Sequence, residues 1–337
     1  MPRIASQCLA LIVSVAFALN LTATGPLPPD TIGASPRAPG RVDRAFTTLP
    51  QQRPAAGSFT VALPIGPSIR GVDLAPQLAA APSPPIVNLA GPRGSLTLPA
   101  PPRISGNGPP MPGTLVAQTE RLDIYVGIHT FSPEQVAEVA PLLEELLRLN
   151  EERFGTTLDR RISLAFYRTA RAPDSDTRGI AYTEEGRAEV FYQPHGSIDR
   201  AVMVAAHELA HHLQARRYGP VVQKRADLLL LEGQATWITG RLWLARYRAA
   251  SWRERARQIE ANGCPLRLLQ ITGYGTNNAY ELWASFFDFL VERYGMEKLD
   301  ELYRSSASRE PGSADYQGVL GKPLEELADE WRAWVRG

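Results

Sequence analysis

Cysteine is nearly missing from this chain: Cys8 and Cys264 are the only two among 337 residues. A disulfide-stapled scaffold is therefore excluded, and stability must come from packing or from a bound metal. Net charge is missing as well. The formal charge is +1, without the dense basic face of a nucleic-acid binder, so no nucleic-acid partner is expected. Large apolar side chains are scarce in one region. Between residues 22 and 118, Phe46 and Phe59 are the only aromatics, whereas twenty of the 29 prolines lie between Pro26 and Pro112. So few core-forming side chains cannot offset the entropy of ordering a stretch of about a hundred residues. Residues 24–118 are accordingly read as a disordered Pro/Ala/Gly-rich linker. Charge divides at the same place, with +5 on residues 1–118 and −4 on residues 119–337. All six tryptophans lie between Trp237 and Trp334, so the folded domain is expected over 119–337.

An export signal is legible at the N-terminus. Arg3 precedes the apolar run Leu9 to Leu21, and the small residues Thr22, Ala23, Thr24 and Gly25 follow. That is the charged, apolar and cleavable pattern of a secretory signal over residues 1–23, which implies a periplasmic or extracellular location. The run is shorter than the roughly 20 residues of a membrane-spanning helix. An uncleaved anchor is the competing reading, and it is the sole membrane contact expected. With the signal removed, Cys264 is the only thiol left.

Within 119–337 the pattern alternates and then becomes helical. Leu122, Ile124, Val126 and Ile128 alternate along a strand from Arg121 to Thr130. Ser132-Pro133-Glu134-Gln135 begins a helix, with Ser as N-cap, Pro in the first turn and Gln three residues past the cap. Apolar residues then recur at three-and-four spacing up to a stop at Gly155. Arg161 to Arg168 reads as a second strand, and Gly179–Thr183 with Arg187–Gln193 as a hairpin. From Ile198 onward the pattern is helical, punctuated by Gly219, Gly263, Gly295 and Gly321. The order β-α-β-β-β followed by helices predicts an α+β fold, a small and mostly antiparallel sheet packed on helices.

The helix from Ile198 to Tyr218 carries His207-Glu208-Leu209-Ala210-His211, an HExxH motif. Residues four apart on a helix point about 40° apart, so both imidazoles project from one side and can meet one zinc ion. Glu208 flanks them, placed to act on a metal-associated water as a general base. A site of this kind needs a third protein ligand. Glu232 is the candidate, 21 positions after His211 and directly after four leucines, Leu228 to Leu231. A carboxylate carried into a core by such a run is costly to bury unless it meets a cation. Gly233 and Ala235 are small enough to let this helix approach the HExxH helix, and Thr236 could hydrogen-bond a ligand from behind. His129, His195 and His212 are assigned ordinary surface or capping roles.

HExxH followed about twenty residues later by Glu232-Gly233-Gln234-Ala235 resembles the gluzincin metallopeptidases, and the chain looks like their Peptidase MA-like group. The resemblance covers most of 119–337. It also takes in Gly179-Ile180-Ala181-Tyr182, Ala279-Tyr280-Glu281-Leu282 and the segment around Trp331. It implies a zincin-type domain with one Zn2+ per chain on His207, His211 and Glu232, and with Glu208 as base. By analogy with the aminopeptidase branch, Tyr280 would donate a hydrogen bond to the oxyanion; Tyr274, between Gly273 and Gly275, is a rival for that role. The sequence has no Gly-x-Met-Glu-Asn segment, which points to an endopeptidase, and Trp283 stands where that branch has glycine. The expected function is thus an exported zinc-dependent peptidase acting on peptides or proteins, with no oligomeric state implied. The alternative is a catalytically inactive, zinc-stabilised peptide-binding module.

Overall fold

The structure, a computed structural model, describes residues 106–174, 177–192, 196–269 and 278–337, together with the backbone of 58–62. The export signal, most of the Pro-rich stretch, His195 and Tyr274 lie outside the described residues.

The fold is α+β, as the sequence pattern predicts. Six strands form one sheet: β1 (Ser58–Ala62), β2 (Thr114–Gln118), β3 (Leu122–Val126), β4 (Ile162–Arg168), β5 (Thr177–Tyr182) and β6 (Arg187–Tyr192), in the order β1-β5-β6-β4-β3-β2. The sheet is mixed. β4 runs parallel to both β3 and β6, and the three outer pairings are antiparallel. Parallelism at the centre follows from the connection: α1 (Pro133–Phe154) crosses between β3 and β4, whereas β5 and β6 are joined by a tight turn.

Two of these strands arise inside the stretch read as linker. β1 lies in the proline-free gap between Pro54 and Pro64, and β2 in the gap after Pro112. The composition of the whole stretch averaged over both gaps. Proline cannot donate to a ladder, so strands are confined to such intervals. The residues before β2 are also fixed, across one face of the sheet. The Gly108 amide donates to Asp123 Oδ2 at 2.7 Å, and Tyr167 Oη donates to the Pro112 carbonyl at 2.8 Å. The folded domain therefore takes in residues 106–118 as well as 119–337.

β4 is buried on both faces. Ile162, Leu164 and Phe166 point into the main core with Leu122, Ile124 and Val190, while Ala165 and Tyr167 pack with Met111, Ile180 and Phe191 on the other side. Period-two alternation thus sorts one strand between two apolar layers.

Against the main face lie α1 and α2 (Ile198–Tyr218). α1 begins at the anticipated capping box: Gln135 N donates to Ser132 Oγ, and Gln135 Oε1 accepts from Ser132 N. It ends at Gly155, whose φ of 64° closes the cap. The remaining helices are α3 (Pro220–Lys224), α4 (Leu228–Ile238), α5 (Gly240–Tyr247), α6 (Trp252–Ala261), α7 (Ala279–Arg304), α8 (Tyr316–Leu320) and α9 (Leu324–Arg336). Gly295, at φ 76° and ψ 161°, breaks α7 into two pieces. Among the described residues no helix is long and apolar enough to cross a membrane.

Candidate metal centre

α2 is buried along nearly its whole length, from Ala201 to Gln214. His207, Glu208 and His211 have no exposed surface. The helix that carries them packs on β5 and β6, on α1 and on α4. α4 is nearly all apolar apart from Glu232, Gln234 and Thr236, which is why it enters the core. Its start is fixed by Asp227, whose carboxylate accepts from Leu229 N at 2.9 Å, Gly312 N at 3.0 Å, Ala314 N at 3.1 Å and Tyr316 Oη at 3.0 Å. One capping residue therefore ties the helix that carries Glu232 to the loop before α8.

One turn into α4, Glu232 reaches the histidines. Its Oε2 lies 3.1 Å from His207 Nε2 and 3.5 Å from His211 Nε2. His207, His211 and Glu232 form a buried cluster whose ligand-type atoms all fall within 4.8 Å of one another, and it could hold a metal ion. Donors bound at ~2.0–2.1 Å around a tetrahedral ion stand about 3.3 Å apart. The two carboxylate–imidazole separations bracket that value. Burial, the dominant influence, pushes the His207 pKa down and keeps the ring neutral, as a ligand must be. Burial opposes charge on Glu232 as well, but the adjoining imidazoles outweigh it and hold the carboxyl below its usual range.

Glu208 is the anomaly. Both of its carboxylate oxygens are buried with no hydrogen-bond partner among the described residues. Burial, with the negative Glu232 nearby, pushes its pKa well above the ordinary carboxylate value. A buried carboxylate is normally paired, because an unpaired one costs several kcal/mol, on the order of 3 or more. This one fits a site completed by a metal ion and its water. The opposite wall is Gly179 on β5; a methyl group there would sit 2.2 Å from Glu208 Oε1 and 2.7 Å from Val204 Cγ1.

Of the other sequence-assigned residues, Tyr280 in the first turn of α7 stands edge-on to His207, with ring centroids 5.8 Å apart. Trp283, one turn on, donates from Nε1 to the Leu268 carbonyl at 2.7 Å. Thr236 Oγ1 lies 3.5 Å from His207 Nδ1, at the edge of hydrogen-bond reach.

Two expectations are corrected. Gly233 does not serve the approach of α4 to α2. Its missing side chain accommodates α7, where a methyl group would meet the Trp283 carbonyl oxygen at 2.8 Å. His212 is not at the surface: it is buried, its Nε2 donates to the Arg187 carbonyl at 3.1 Å, and desolvation drives its pKa down to about 3.

Sequence reasoning also missed Gln214, which meets His211 Nδ1 at 2.8 Å. Its signal was present: a polar residue three positions past His211, on the same face of a buried helix. Compared with known proteins, the chain matches no family model and no curated protein sequence, so the site rests on its own geometry.

Proposed function

We propose that this chain is an exported zinc-dependent metallopeptidase of the gluzincin type, cleaving internal peptide bonds. The observation that carries the proposal is Glu208, a buried carboxylate with no hydrogen-bond partner among the described residues, beside a His207–His211–Glu232 cluster that could hold a metal ion. A purely structural metal centre would have no use for a base in that position. Two imidazoles and one carboxylate are a donor set suited to zinc, and they leave a fourth position open.

A zinc ion bound there would act as a Lewis acid on the scissile carbonyl and acidify water. The protein's own groups do the rest. His207 and His211 present nitrogen donors from one helical face, and Glu232 supplies the anionic third ligand from α4. Glu208, one residue from His207, takes a proton from the attacking water and returns it to the leaving amine. Tyr280, edge-on to His207, is the candidate to donate a hydrogen bond to the oxyanion.

Zinc analysis combined with a peptide-library digest tests this reading. Wild-type protein should carry about one zinc per chain and hydrolyse peptides in a chelator-sensitive way. Glu208→Gln should keep the zinc and lose turnover. Zinc without any hydrolysis in the wild type would instead identify a peptide-binding module.

A further inference from the structure

Behind His211 runs a directional chain of hydrogen bonds, buried at its inner end and part-buried at its outer end. Arg217 grips Asp300 in a fork, Nε to Oδ1 at 2.9 Å and Nη2 to Oδ2 at 2.6 Å. The carboxylate thus held can only accept, so Tyr218 Oη donates to Asp300 Oδ1, at 2.8 Å. With its proton spent, the Tyr218 oxygen accepts from Gln234 Nε2 at 2.8 Å. That orients the Gln234 amide, whose Oε1 accepts from Gln214 Nε2 at 3.0 Å. The same Gln214 Nε2 also donates to the Leu231 carbonyl at 2.8 Å. Two independent acceptors therefore turn the Gln214 amide the same way, and its oxygen faces His211 Nδ1 at 2.8 Å. An amide oxygen cannot donate, so the proton sits on Nδ1.

The consequence lies on the other side of the ring. With Nδ1 kept for Gln214, Nε2 is the nitrogen left to meet an ion, and it lies 3.5 Å from Glu232 Oε2. An ion placed between that nitrogen and that oxygen would be held by both.

We infer that Gln214, locked by Leu231 and by the Gln234–Tyr218–Asp300 chain, is a positioning residue that fixes the His211 tautomer so that Nε2 is committed to a cation. This rests on the metal-site reading above and extends it. The anchor of the chain, Asp300, belongs to the second piece of α7, beyond the Gly295 break, and is partly exposed. Part of the His211 geometry is thereby set from the protein surface.

The test uses the full chain labelled with 15N at histidine; five histidines keep the spectrum simple. With metal removed by chelator, His211 should show a protonated Nδ1. Gln214→Met, which keeps the volume and removes the acceptor, should let the proton move to Nε2 and lower zinc affinity about 10–100-fold. Gln214→Glu, which keeps an acceptor, should hold Nδ1–H and stay closer to wild type. Tyr218→Phe, which cuts the chain but leaves Leu231, should fall between them. A bare Nδ1 in the wild type, or unchanged Nδ1–H and zinc affinity in the Met variant, would overturn the inference. Should the Met variant not fold, Tyr218→Phe and the wild-type spectrum decide alone. Because the spectrum is read without metal, failure to bind zinc would count against the metallopeptidase proposal and leave the tautomer result standing.

Discussion

Gly179 and Glu208 are in contact so close that no side chain fits between them: a Cβ on Gly179 would lie 2.2 Å from Glu208 Oε1 and 2.7 Å from its Cδ. A β-strand of the sheet therefore sets the position of Glu208, the proposed general base, on α2. Gly179→Ala should push the carboxylate aside while the metal ligands stay in place. Misplacement by about 1 Å near the reacting atoms costs on the order of 100-fold in rate. Hydrolysis should fall by about that factor at unchanged zinc content. Full activity in the Ala variant would mean that Glu208 does not act from the position described.

Metal should stabilise the domain as well as activate it. A ligand that binds only the folded state adds about 4 kcal/mol at a thousandfold excess over its Kd. For a domain of this size that amounts to roughly 10 °C in Tm. Thermal scans with and without chelator should show such a difference for the wild type, and Glu232→Gln should largely abolish it. A wild-type Tm indifferent to chelator would count against the centre.

Tyr280 and His207 are edge-on neighbours, which separates two roles by kinetics. An oxyanion donor acts in the transition state, so Tyr280→Phe should lower kcat about 100- to 1,000-fold with little change in KM or zinc content. If Tyr274→Phe carries that loss instead, the role passes to Tyr274 and Tyr280 is packing.

Asp227 receives four donors from three segments. Asp227→Ala would leave the three backbone amides and the Tyr316 hydroxyl unsatisfied, at a cost of about 3 kcal/mol or more. Urea unfolding should register the loss. It should be accompanied by weaker zinc binding, since Asp227 caps the helix bearing Glu232. A change under about 0.5 kcal/mol, the size of an ordinary surface substitution, would show that the cap is dispensable.

Much of the fold was legible locally. The Ser132 capping box, the Gly155 stop, the β5–β6 hairpin and the span of α2 all follow from short-range patterns, and they fall where those patterns place them. β1 and β2 were not legible, because a five-residue strand between prolines has no signature until a partner edge supplies the hydrogen bonds. The burial of His212 was hidden for a similar reason. One residue's step round a helix from His211 suggests solvent only when nothing covers that face, and here β6 does.

By itself the sequence determined the α+β order and the pairing of His207 with His211, because helical periodicity acts within a few residues of chain. It also nominated Glu232, through the cost of a carboxylate behind four leucines. Tertiary structure alone decided that Glu232 meets both rings, that Gly179 walls in Glu208, and that Asp300, through Tyr218 and Gln234, reaches the Gln214 amide beside His211. Those relations join segments tens of residues apart, and packing, which periodicity does not encode, brings them within hydrogen-bond range.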